Sequence, residues 1–124
     1  MRELTTALIA VVLGACAAST QLGGTYDSAS SLWEKSKERA EYRTYQLAFT
    51  NSQNQQRLDD DSGCYDKDPG KQVILILVVD SKGLISDTYA DNTSAKAECF
   101  KAAYLGAQMP IPPFSPFPMK MQMN

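Results

Sequence analysis

The chain contains no histidine. That absence removes the commonest general base and metal ligand of enzymes, and the usual charge switch near neutral pH. It also excludes Ser–His and Cys–His nucleophile pairs. The glycines are few and scattered, so no phosphate-cradling glycine loop is present. An excess of one charge is missing too. The 12 basic residues are dispersed among 14 acidic ones, for a net charge of −2, and nucleic acid is therefore not an expected partner. Nothing in the composition calls for a cofactor or a metal. Cysteine is rare, and long apolar runs are rarer still. The three cysteines are Cys16, Cys64 and Cys99, and their compartment decides how they are read.

The first apolar run supplies the compartment. A short charged start, Met1-Arg2-Glu3, precedes Leu4 to Ala15, and Cys16 follows. Charged start, apolar stretch and small residues together read as a secretory signal over residues 1–15. A membrane-spanning helix needs about 20 apolar residues, and Ser19, Thr20 and Gln21 end this run too early. A buried core helix is the alternative. Leu13-Gly14-Ala15-Cys16 resembles the lipobox of bacterial lipoproteins. In that family the cysteine becomes the first mature residue and carries the lipid. Ala15-Cys16-Ala17 also fits ordinary small-x-small cleavage, which would discard Cys16. The lipobox is preferred, because a Leu three places before a Cys is the more specific coincidence. Ala17 rather than Asp resembles the pattern of outer-membrane sorting. The expected location is the periplasmic side of a bacterial outer membrane, anchored through lipid on Cys16. The alternative is a soluble periplasmic or secreted protein. Two or three acyl chains hold a protein stably, where one does not.

Past Cys16, residues 16–29 are small and polar and read as a flexible tether. Residues 30–124 read as one small domain with a thin core. Cys64 and Cys99 remain, and an even pair in an exported chain reads as a disulfide. Two free thiols are the alternative.

Ser30 or Ser31 suits a helix N-cap, with Glu34 three residues after Ser31 as in a capping box. From there to Leu58 the chain has neither Gly nor Pro. It reads as one long helix, whose Tyr42, Tyr45 and Phe49 share a face that docks on the body. Asp59, Asp60 and Asp61, with Asp66 and Asp68, make an acidic loop. Carboxylates are calcium ligands, but this spacing departs from the EF-hand, and a solvated turn is the better reading. Val73–Val79, "VILILVV", reads as a central strand buried on both faces. Asp80-Ser81-Lys82-Gly83 reads as a hairpin turn leading into Leu84–Ala90. Asp91 to Ser94 supply cap residues for a second helix, which places Ala97, Phe100 and Tyr104 on one face. Gly106 is suited to end it. The proline-rich "MPIPPFSPFP" reads as an extended crossover rather than as a ligand for an aromatic groove. Met119–Met123 reads as a short last strand with its methionines on one face. The expectation is an α+β fold, ordered α-β-β-α-β, with two helices on a three-stranded antiparallel sheet and one disulfide.

This order, with these residues, resembles the C-terminal domains of the TolA and TonB energy-transducing proteins. The resemblance runs from Gly63 to Phe114. It rests on "GC" before the first strand, the "VVDSKGLI" hairpin, the cysteine in "AECFKAAYLGA", and "MPIPPF". The two cysteines and the prolines are closer to TolA. The resemblance implies a periplasmic domain that binds other envelope proteins, often by strand pairing at a sheet edge. Those families also have an inner-membrane helix and a long stalk, which this sequence does not show, so energy transduction is not carried over.

The expected function is a non-enzymatic protein-binding module of the cell envelope, with envelope or periplasmic proteins and, through the N-terminal lipid, the membrane as partners, and the chain is expected to be a monomer. The docking edge falls on Met119, Lys120, Met121, Gln122 and Met123. Leu84–Ala90, the other edge, is fixed by its hairpin and guarded by Asp87. One alternative is a structural or accessory lipoprotein of a larger assembly. Another is a hydrolase with an Asp- or Lys-based site, for which no convincing pair of residues is visible.

Overall fold

The computed structural model describes residues 24–52, 58 and 62–124. The expected signal, Cys16 and most of the tether lie outside the described residues, as do Asp59, Asp60 and Asp61.

The first helix, α1, spans Tyr26–Ser36. Its cap is Thr25, not Ser30 or Ser31. The Thr25 hydroxyl accepts from Ser28 N–H at 3.0 Å, and Ser28 reaches back to Thr25 N–H. This reciprocal box satisfies donors that a helix start otherwise leaves orphaned. The tether expected through Ala29 therefore gives way to helix at Tyr26, and Ala29 is fully buried.

The single long helix is instead two. After α1 the chain turns through Lys37–Glu41, and α2 spans Tyr42–Thr50. Arg39 N–H donates to Ser36 C=O and Tyr42 N–H to Arg39 C=O within the turn. No Gly or Pro forces this break, so its cause is tertiary. α1 contacts all three strands, whereas Tyr42, Tyr45 and Phe49 of α2 join the main core. A straight helix over both segments would run about 37 Å and could not bury both apolar faces.

The sheet has the order β2-β1-β3, antiparallel throughout. β1 is Val73–Val79, β2 is Ile85–Ala90 and β3 is Phe117–Met123. β1 is central, as its unbroken apolar run requires. Val73, Leu75, Leu77 and Val79 enter the main core with α2 and the last helix. Ile76 and Val78, on the opposite face, are also buried. The turn into β2 is held by Asp80, whose Oδ1 accepts from Lys82 and Leu84 N–H at 2.8 and 3.0 Å. Gly83 has φ +86°, and a Cβ there would overlap the Met109 carbonyl, so only glycine fits.

The last helix, α3, spans Ala95–Tyr104 and is capped by Ser94. Ala97, Phe100 and Tyr104 are buried as their spacing predicts. Cys99 bonds to Cys64, which lies in a short 3-10 turn before β1, with Cα atoms 5.5 Å apart. Two further ties join the same segments. Ala95 N–H donates to Asp68 Oδ2 at 2.6 Å, and the buried Lys96 ammonium donates to Lys71 C=O at 2.8 Å and to Asn124 C=O at 3.1 Å.

β3 starts two residues before the expected Met119. Phe117 and Pro118 pair with Val79 and Val78. Proline is tolerated at Pro118 because the position of its missing N–H faces away from β1.

Candidate functional site: the outer edge of the last strand

The direction of each main-chain group on β3 follows from the register. Ile74 C=O accepts from Asp91 N–H, and Ile74 N–H donates to the Asp91 carboxylate. Ile74 therefore faces β2. Main-chain groups alternate sides along a strand, so Val73, Leu75, Leu77 and Val79 face β3. Their partners are Met123, Met121, Met119 and Phe117. Pro118, Lys120 and Gln122 are left with their main-chain groups pointing outward.

The five residues expected to form a docking edge thus divide. Met119, Met121 and Met123 spend their main-chain bonds on β1. Their side chains pack into the core, with Met119 and Met123 buried and Met121 half-buried. Only Lys120 and Gln122 present main-chain groups to a partner.

Lys120 is partly engaged already. The Tyr42 hydroxyl donates to Pro118 C=O at 2.8 Å and accepts from Trp33 Nε1 at 3.0 Å. The Lys120 main-chain N–H is directed towards the same oxygen. One phenol therefore caps the outward carbonyl at Pro118 and stands against the outward N–H of Lys120, where a neighbouring strand would lie. The plug stops there. Among the described residues no hydrogen bond is recorded for Lys120 C=O, Gln122 N–H or Gln122 C=O. Sequence reasoning assigned Tyr42 to core packing and missed this second role. A phenol at helical spacing carries no signal that its hydroxyl will cap a strand.

The surroundings of the plug are cationic and aromatic. Trp33 has two ammonium groups over its ring, Lys37 at 4.4 Å and Lys120 at 4.3 Å from the centroid. Lys37 is also paired with Glu34 at 2.9 Å. Lys120 makes no ion pair among the described residues.

The β2 edge is closed at its start. Ile85 N–H donates to Ala107 C=O, Gly106 N–H to Ile85 C=O and Met109 N–H to Gly83 C=O, at 2.7–3.0 Å. Beyond this cover, the Thr88 hydroxyl bonds Lys101 C=O of α3. The proline-rich segment is a crossover docked on α2, with Pro110 C=O accepting from the Tyr45 hydroxyl at 2.6 Å. A shallow apolar groove of about 280 Å³ runs there between Thr44, Tyr45 and Ala48 and Pro110, Ile111 and Pro113.

Among the described residues no cluster of acidic or cysteine side chains is gathered as metal ligands, and no helix is long and apolar enough to cross a membrane. Comparison with family models, curated proteins and solved structures gives no match.

Burial pushes the Tyr42 phenol up to about 12, offset in part by the bonds from Trp33 and Lys120. Burial raises Tyr45 as well. A pKa raised in the fold means that the folded state holds the proton more tightly than the unfolded chain. The stability this gives is complete below pH 10 and drains away as pH rises from 10 towards 12. Urea midpoints should therefore be flat up to about pH 9 and fall steeply beyond pH 10. Tyr42→Phe should lower neutral-pH stability by about 1–2 kcal/mol, because Trp33 Nε1 and Pro118 C=O lose a partner. The same variant should flatten part of the alkaline fall, leaving the share due to Tyr45.

Proposed function

We propose that this protein is a non-enzymatic binding module of the bacterial cell envelope, anchored as a lipoprotein through Cys16, that takes up an extended segment of an envelope protein along the outer edge of β3. The observation carrying this reading is the run at Lys120 C=O and Gln122, the outward groups of β3 that Tyr42 leaves uncovered and that no other described residue pairs. An unpaired strand edge binds any extended chain through main-chain hydrogen bonds, and adjacent side chains add selectivity. The resemblance to the TolA and TonB C-terminal domains supports the same mode, and the disulfide agrees with an oxidising compartment. The chain's own signal-like start and Leu13-Gly14-Ala15-Cys16 support the anchor.

Gln122→Pro tests the edge. It removes one outward donor and no bond to β1, so the circular dichroism spectrum should be unchanged. Affinity for the partner should fall about tenfold, as for loss of one main-chain bond with a carbonyl left unpaired. Unchanged affinity, with partner contacts mapped instead to Glu34–Arg43, moves the site to the turn between α1 and α2. Cys16→Ser tests the anchor. It should leave an unprocessed precursor or release the protein to the soluble periplasm. A normally processed variant that still fractionates with membranes overturns the lipid reading.

A further inference from the structure

The Tyr42 plug limits what can be added to β3, and the limit selects a particular end of a particular kind of chain. Building on the edge-binding reading above, we infer that the site takes the free C-terminus of an antiparallel peptide strand, with the terminal carboxylate seated beside Tyr42 and Lys120.

In an antiparallel pair, a residue opposite Gln122 exchanges both main-chain bonds with it. Two positions further along the added strand, the next outward-facing residue lies opposite Lys120. Its N–H reaches Lys120 C=O, which is open among the described residues. Its carbonyl would claim Lys120 N–H, which is already directed at the Tyr42 hydroxyl. The following pair would need Pro118, which has no N–H and whose C=O is bonded to Tyr42 at 2.8 Å. A strand therefore cannot continue past Lys120 and has to end or leave there.

Charge decides which end. Lys120 brings an ammonium that no carboxylate neutralises among the described residues, 4.3 Å from the Trp33 centroid. The Lys37 ammonium lies over the same ring at 4.4 Å, though shared with Glu34. An amino terminus at this point would meet like charge. A terminal carboxylate would meet the Lys120 ammonium, and charge-assisted bonds of this type are about twice as strong as neutral ones. Only an antiparallel strand brings its C-terminus to this end of β3. The required partner segment is thus short, extended and last in its own chain, and needs no particular basic or aromatic residue.

The test uses the soluble mature protein and random hexapeptide arrays in three forms: with a free C-terminal acid, with a C-terminal amide, and with a terminal aspartyl amide that retains a side-chain carboxylate. The strongest binders are then titrated against 15N-labelled protein. Binding should favour the free acid over its amide by about fivefold or more, should shift the Gln122 amide resonance, and should weaken as salt is raised. Lys120→Gln should abolish the preference while leaving the circular dichroism spectrum unchanged. Equal affinity of acid and amide overturns the terminal-carboxylate inference. If Gln122 still shifts and Gln122→Pro still weakens binding, the edge reading survives that result. Equal binding of the aspartyl amide replaces the chain end by a side chain and likewise overturns the inference. No binder of any form overturns both readings.

Discussion

Double replacement of Cys64 and Cys99 by alanine should lower stability by about 4 kcal/mol, the loop-closure entropy of a segment of this length. The two cysteines are 35 residues apart, and the loop between them contains β1, β2 and the hairpin turn. For a domain of this size the loss corresponds to a fall in melting temperature of more than about 15 °C. The effect should be local in origin as well as entropic. The 64–71 segment is held to α3 by four ties: the disulfide, the Asp68 carboxylate on Ala95 N–H, the Lys96 ammonium on Lys71 C=O, and the Tyr65 ring edge-on to Phe100. Without the disulfide, the other three have to hold this segment against fraying. Each single alanine variant should give a similar loss. A change under about 1 kcal/mol, or two thiols titrating in the native protein, contradicts the bond's role.

Phe117→Ala should cost about 3–5 kcal/mol. Phe117 is fully buried at the start of β3. Its ring stacks on Tyr42 at 4.8 Å, meets Tyr45 edge-on at 4.5 Å and lies 4.8 Å from Phe114. Truncation leaves a cavity flanked by three rings that are held from behind. Tyr42 and Tyr45 are fixed through their hydroxyls, and Arg39 stacks on Phe114 at 3.8 Å. These rings cannot collapse into the space without giving up their other contacts, which places the expected cost in the upper part of the range. The loss should also loosen the Tyr42 plug, visible as faster hydrogen exchange of the Trp33 indole N–H that donates to Tyr42. A loss of about 1 kcal/mol or less would show that α2 can close onto β3 without this ring.

The parts of the fold that rest on periodicity and turn chemistry were legible. The run Val73–Val79 could only be central. Asp80 to Gly83 marked the hairpin, and Ala97, Phe100 and Tyr104 marked the buried face of α3. The misreadings have one cause, which is tertiary context overriding a local signal. Lys37–Glu41 carries no helix breaker, yet the chain turns there to bury α1 and α2 on different surfaces. Nothing in the sequence marks Lys96, yet it is buried on two main-chain carbonyls. The last strand was visible through its alternating methionines. Its first two residues were hidden behind Pro118, a residue that argues against a strand unless its outward direction is known. At the candidate site, Lys120 and Gln122 were nameable from sequence. The Tyr42 hydroxyl that divides the edge into a closed and an open half was not, since nothing in a one-dimensional pattern says where a side-chain oxygen will end.

Site-directed photocrosslinking in intact cells tests the central claim most directly. A photoreactive side chain is placed at Gln122 in one strain and at Glu38, in the turn between α1 and α2, in another. The account predicts a discrete adduct with one envelope protein from position 122, mapping to an extended segment of that protein, and little from position 38. Adducts from position 38 alone, with position 122 silent in a folded and normally exported protein, would contradict it.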